Sequence, residues 1–324
     1  MLVLSILSGA RSAQFRGLYL GIDLLRSTPI RWDYTRSPNT HVLVLGSSGS
    51  GKTHTLAALL YRFLKHRLAS RALIIDLKGE YRDLLESSGL EYRVIDPSIA
   101  PLKLCIDIPR GVHLDLLLSA LGIPSDAKTH VLRVLEASCE SEYSIDLKAL
   151  SKEFRLVDRY LELNDGLSLG SDHSIEILNL SSIPLRSAIP LSALAVGIAL
   201  AKGGYAIVLD EAWHLVSTLE PELVSYVYRF ARSYGCSLLI ASQSVNDLQP
   251  DARIFFENSS LILCFASSSP DYWRRILELT FPSRRGRLMD LVTRYIDERG
   301  HCLAKLSYMK DPLFLYFDPL HHEL

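Results

Sequence analysis

No charge of either sign predominates: 35 Lys and Arg stand against 36 Asp and Glu, a formal net charge of −1. The global balance argues neither for nor against a polyanionic partner, and any nucleic-acid surface must come from local clustering. Cysteine is scarce and unpatterned. The five residues, Cys105, Cys139, Cys236, Cys264 and Cys302, are odd in number, and no two have the spacing of a metal site or redox pair. They are expected to be mostly buried thiols in a reducing compartment. Long apolar runs are missing too. Met1–Leu7 has no basic leader and falls far short of the ~20 residues that cross a bilayer, so a first strand is expected there in preference to a signal peptide. The segment closest to a span elsewhere is 189–201, bounded by Pro190 and Lys202. A soluble, cytoplasmic protein is expected, with peripheral membrane attachment left open. What is present is 48% hydrophobic and 22% charged residues, a balance that buries a large core and does not describe a disordered chain.

Short β-rich runs alternate with helical periods, the pattern of a largely parallel sheet with helices on both faces. Strands are expected at 41–45, 72–76, 92–95, 175–180, 205–210, 237–241 and 261–265. Two alternating runs, 302–306 and 313–317, form a C-terminal antiparallel extension. The leucines at 114, 117, 118 and 121, followed by Val131, Leu132 and Leu135, switch to a helical period. A helical insertion is therefore placed at about 110–172. Residues 17–38 suggest a small hairpin, and with residues 1–40 as an N-terminal strand and hairpin segment, no sizeable N-terminal domain is expected ahead of an α/β domain spanning 41–324.

Three segments carry chemistry. In Gly46-Ser47-Ser48-Gly49-Ser50-Gly51-Lys52-Thr53, the glycines let backbone N–H groups converge on phosphate oxygens. Lys52 then brings a charge to the β- and γ-phosphates, Thr53 is a ligand for Mg²⁺, and the following helix points its dipole at the anion. The buried run 205–209 ends in Asp210-Glu211, acids at the sheet edge where open α/β folds bind ligands. Asp210 is expected to hold the Mg²⁺ of a bound ATP through water, and Glu211 to orient the water that attacks the γ-phosphate. The run 237–241 leads to Gln243, an amide at the same edge that can reach the γ-phosphate or the water. Alone, such a glutamine is a weak signal; after the other two segments it is a candidate sensor.

Taken in order, these motifs resemble those of the HerA and FtsK superfamily of ring-forming DNA motors, above all the HerA-like and type IV secretion ATPase branches. The likeness rests on Leu20-Gly21, Asp76-Leu77-Lys78-Gly79-Glu80-Tyr81, Asp210-Glu211-Ala212-Trp213 and Ala241-Ser242-Gln243. HerA proper usually carries Pro-His where this chain has Leu77-Lys78, and Arg-Pro where it has Ser244-Val245. The resemblance implies a RecA-like core, a homo-oligomer in the form of a hexameric ring, and ATP-driven movement along DNA without regard to sequence. A membrane pore, a nuclease or a capsid is the corresponding partner for DNA transfer, resection or genome packaging. A nucleotide-dependent switch that does not translocate is the reading from another class.

Arg229 and Arg232 lie three apart on a predicted helix whose other face is apolar, and with Gly235 they match the superfamily's Arg-x-x-Arg-x-aromatic-Gly segment. They are candidates for an arginine finger reaching a neighbour's nucleotide, or else for complementing the helix dipole. Arg274-Arg275 and Arg284-Arg285-Gly286-Arg287, interleaved with Tyr272, Trp273 and Phe281, are the densest basic clusters. They read either as a nucleic-acid contact with stacking or as solvated helix faces over a core aromatic.

Overall fold

The computed structural model describes residues 17–86, 88–105, 112–141, 146–170, 173–216, 218–219, 221–248 and 252–319. The strand expected at Met1–Leu7 lies outside them. In chain order the strands are β1 (Leu18–Asp23), β2 (Pro29–Trp32), β3 (Val42–Leu45), β4 (Arg71–Asp76), β5 (Arg93–Ile95), β6 (Leu102–Lys103), β7 (Leu161–Glu162), β8 (Ile175–Asn179), β9 (Tyr205–Leu209), β10 (Ser237–Ser242), β11 (Leu261–Phe265), β12 (His301–Leu306) and β13 (Leu313–Phe317). The helices are α1 (Lys52–Lys65), α2 (Tyr81–Glu86), α3 (Val112–Ala120), α4 (Ser125–Ser141), α5 (Leu147–Leu150), α6 (Leu185–Lys202), α7 (Trp213–Val216), α8 (Pro221–Ser233), α9 (Ala252–Asn258), α10 (Pro270–Thr280) and α11 (Arg285–Tyr295).

Eleven strands form one sheet in the order β2-β1-β13-β12-β11-β3-β10-β9-β4-β8-β5, and β6 and β7 pair separately. From β11 to β5 every pairing is parallel; β12, β13, β1 and β2 continue it antiparallel. The central strands β3, β9 and β10 are buried at every position, so they carry unbroken apolar runs and no alternation. One face is covered by α1 through Leu56, Leu59, Leu60 and Phe63, and the other by α3, α6, α8 and α10. The hairpin expected at 17–38 joins this sheet through β1 and β13, which pair from Gly21↔Phe317 to Asp23↔Leu315.

Two features depart from expectation. Pro190 does not bound the apolar segment: it lies inside α6, an 18-residue helix apolar enough by composition to cross a membrane, yet 78% buried within the domain. Its small residues explain the placement. At Gly197 an added Cβ would lie 2.4 Å from the Cα of His113, so α3 can press against α6 only because no side chain intervenes.

The second correction concerns cysteine. Cys105 and Cys139 form a disulfide across 34 residues of sequence, because α4 folds back until their Cα atoms are 5.2 Å apart; Cys236, Cys264 and Cys302 are buried free thiols. Closing a loop of this length stabilises by about 3–4 kcal/mol in the chain-entropy picture. Reduction is therefore expected to lower the thermal midpoint and to expose the α4 region to protease first. Equal midpoints and identical cleavage patterns with and without reductant would contradict this.

Candidate nucleotide site

Parallel pairing places the ends of β3, β10 and β9 side by side, with Leu45 opposite Ser242 and Leu209 opposite Ile240. The three chemical segments leave the sheet at this common edge. After β3 the chain turns through Gly49 and Gly51, whose φ angles of 78° and 105° disfavour any side chain. Gly46 is needed for another reason: a Cβ there would lie 2.5 Å from Ser50 Oγ and 2.8 Å from Phe265 Cβ. α1 then starts at Lys52 with no side chain capping its first turn, so its N–H donors and its dipole are available to an anion.

The loop is closed on itself. Lys52 Nζ donates to the carbonyls of Gly46 at 2.8 Å and Ser47 at 3.0 Å, and Ser47 Oγ donates to the Ala266 carbonyl at 3.1 Å. Burial pushes the Lys52 pKa down, against the raising pull of Glu211 and Asp210. Ser50 Oγ is buried with no hydrogen-bond partner among the described residues.

Thr53 Oγ1 donates to Asp210 Oδ2 at 2.7 Å, and Tyr81 Oη reaches the same oxygen at 3.4 Å. Burial, with the charges of Asp210 and Asp76, holds the Tyr81 phenol well above its usual pKa, so it stays a donor. Among the described residues no cluster of three or more His, Cys, Asp and Glu forms a self-sufficient metal site. A hydroxyl and one carboxylate side by side suit Mg²⁺, which takes few protein ligands and keeps waters and phosphate oxygens for the rest.

Glu211 adopts φ +58°, rare for a non-glycine residue, and its side chain is only 6% exposed. Gln243 Nε2 donates to its Oε1 at 3.0 Å and Oε2 at 3.2 Å, and Lys78 Nζ donates to Oε1 at 2.7 Å. Lys52, Thr53, Asp210, Glu211 and Gln243 thus meet in one place.

Lys78 was missed as a site residue, although it lies in the segment after β4 that carries the family resemblance. Its loop is organised by Asp76, whose Oδ1 accepts from the amides of Lys78, Gly79 and Glu80 and whose Oδ2 accepts from that of Tyr81. The readable signal was an acid ending a buried strand and followed by Gly79. Asp247, which accepts from Ser242 Oγ at 3.3 Å, and His214, whose pKa is lowered by burial against the pull of Glu211, also border the site.

Arg229 and Arg232 are not brought to it. They are exposed on α8, which precedes β10 and ends at the opposite edge of the sheet. Arg232 is felt there by His41, next to the start of β3, a histidine kept neutral chiefly by burial at a pKa of about 4. The aromatic residues of the basic clusters are not stacking platforms. Tyr272, Trp273 and Phe281 are buried, with Trp273 Nε1 donating to the Ser267 carbonyl at 3.2 Å. Arg274 pairs with Asp271 and Arg284 with Asp311, while Arg285 and Arg287 are exposed.

Fold and site together define a P-loop NTPase fold with a RecA-like core. The family described as "Helicase HerA, central domain" matches residues 24–154. The DNA import protein CedB of Sulfolobus acidocaldarius is 22% identical over 308 residues, covering 81% of this chain and 50% of CedB. VirB4 of Thermoanaerobacter pseudethanolicus superposes with a TM-score of 0.68 at 19% identity, over 94% of this chain and 96% of that one. The plasmid coupling protein TrwB, solved with a non-hydrolysable GTP analogue, gives 0.63 at 11% identity, over 90% and 88%. The chain is thus similar, in fold and along part of its sequence, to P-loop ATPases of the HerA/FtsK type. It spans no more than half the length of the curated relatives it matches.

Proposed function

We propose that this protein hydrolyses ATP with Mg²⁺ to drive DNA of any sequence through a ring of its own copies, acting in the cytoplasm and, where DNA transfer is served, against a membrane pore. The observation that carries the reading is the convergence of Lys52, the Thr53–Asp210 pair, Glu211 and Gln243 from three adjacent strand ends. In it the amides of residues 46–53 cradle the phosphates, with Lys52 leaving its loop carbonyls for the β- and γ-phosphates. Thr53 and Asp210 would hold Mg²⁺, which supplies charge neutralisation across the phosphate oxygens. Glu211 orients the attacking water and accepts its proton, and Gln243 fixes the carboxylate from the side. The DNA part of the reading is supported by the kinds of protein this chain is similar to: a DNA import protein, a helicase central domain and a plasmid coupling protein.

A motor that moves along DNA grips the sugar-phosphate backbone. ATP turnover is therefore expected to rise with duplex or single-stranded DNA of arbitrary sequence and to lose that stimulation as salt is added. Steady-state ATPase rates across a salt series check this. Equal rates with and without DNA at low salt, in an assembled sample, would instead indicate a switch that binds ATP without translocating.

A further inference from the structure

The Lys78–Glu211 pair has a division of labour that the motif readings do not assign. Glu211 is fixed. It is buried, its backbone is held at positive φ by the turn after β9, its amide donates to Asp210 Oδ1 at 3.0 Å, and Gln243 holds both carboxylate oxygens. The backbone of Lys78 is fixed as well, through the amide cradle of Asp76. The Lys78 side chain, by contrast, is 47% exposed and reaches in from solvent to place its ammonium 2.7 Å from Glu211 Oε1. Two anchored backbones joined by one long, half-exposed cationic side chain make a contact that can be exchanged without moving the fold. Lys52, Asp210 and Glu211 all lie within electrostatic reach of this ammonium. The arm thus stands at the phosphate end of the nucleotide site.

We propose that Lys78 is an exchange arm for the γ-phosphate, holding Glu211 Oε1 while the site is empty and passing its ammonium to the γ-phosphate when a nucleoside triphosphate binds. With Gln243 still in place, the exchange vacates the position on Oε1 that Lys78 occupied, so the attacking water can donate there only when there is a γ-phosphate to cleave. A diphosphate has no group at that position and leaves the arm on Glu211. Solvation opposes stripping a buried carboxylate of its cation, so the exchange occurs only where a γ-phosphate offers the ammonium at least as much negative charge and the attacking water takes its place on Oε1. The proposal rests on the reading of Glu211 as the residue that orients water.

The test measures binding apart from turnover. The assembled protein is titrated with a non-hydrolysable ATP analogue and, separately, with ADP, both with Mg²⁺, in the parent, Lys78→Met and Lys78→Arg. In Lys78→Met the affinity for the triphosphate analogue is expected to fall about tenfold or more, the loss of one charge-assisted hydrogen bond, while ADP affinity stays within about twofold. Lys78→Arg is expected to regain most of the preference. An unchanged triphosphate-over-diphosphate preference in Lys78→Met, or equal losses for both nucleotides, would overturn the exchange and leave an ordinary ion pair. Failure of the underlying reading shows elsewhere, as parental turnover in Glu211→Gln.

Discussion

Lys52→Ala is expected to remove nucleotide binding and turnover together, whereas Glu211→Gln leaves ATP bound and uncleaved. Lys52 is buried, and its ammonium now rests on the carbonyls of Gly46 and Ser47, the loop's own substitutes for a charged partner. Without it the phosphate cradle keeps its amides but loses the only cation inside the loop, so both the ground state and the transition state suffer. In the proposed mechanism Glu211 acts instead on the water, which is no part of the bound nucleotide. The glutamine retains the shape and still reaches Gln243, so affinity should survive while turnover drops by roughly 10²–10⁴-fold. Fluorescent-nucleotide titration and single-turnover hydrolysis on the two variants separate the effects. Parental cleavage by Glu211→Gln would remove the water-orienting role, and tight ATP binding by Lys52→Ala would remove the phosphate role.

The parts of the site read directly from sequence are those whose cause is local. Three glycines in eight residues between an apolar strand and a helix announce a phosphate cradle, because the conformations at Gly49 and Gly51 are needed within the loop itself. Likewise an apolar run ending in Asp210-Glu211 declares a central strand and its outlet. Contacts made by topology were not visible in the same way. Lys78 meets Glu211 only because β4 and β9 are neighbours in the sheet, a pairing their spacing along the chain does not reveal. Cys105 meets Cys139 only because α4 doubles back. Pro190 reads as a helix boundary in isolation, yet it sits in the second turn of α6, where packing against α3 and the sheet outweighs a missing hydrogen bond. Trp273 beside two arginines looks like a stacking residue until α10 turns its apolar side inward and leaves the guanidiniums outside.

The same edge-to-edge geometry that separates Arg232 from the site in one chain makes a strong prediction about the assembly. Arg229 and Arg232 are exposed on α8 over a buried face of Val224, Tyr228 and Ala231, and the described residues offer neither a carboxylate partner. They cannot reach Lys52 or Glu211 within their own subunit, since α8 ends where β10 begins and the site lies where β10 ends. In the proposed ring, head-to-tail packing would bring that edge of one subunit against the nucleotide edge of the next. Arg232→Ala is then expected to leave ATP binding nearly intact while lowering turnover by roughly 10³-fold or more, as is typical of a finger supplied in trans. Arg229→Ala tests the understudy and should have the smaller effect. Mixing gives the sharper result: a ring of Glu211→Gln and Arg232→Ala subunits regains activity only where an intact Glu211 faces an intact Arg232. The recovery should follow the mixing ratio, peaking near equal proportions and vanishing at either end. Full DNA-stimulated turnover from a monomer, or no recovery from two variants shown to co-assemble, would mean that each subunit completes its own site and that Arg232 serves only its helix.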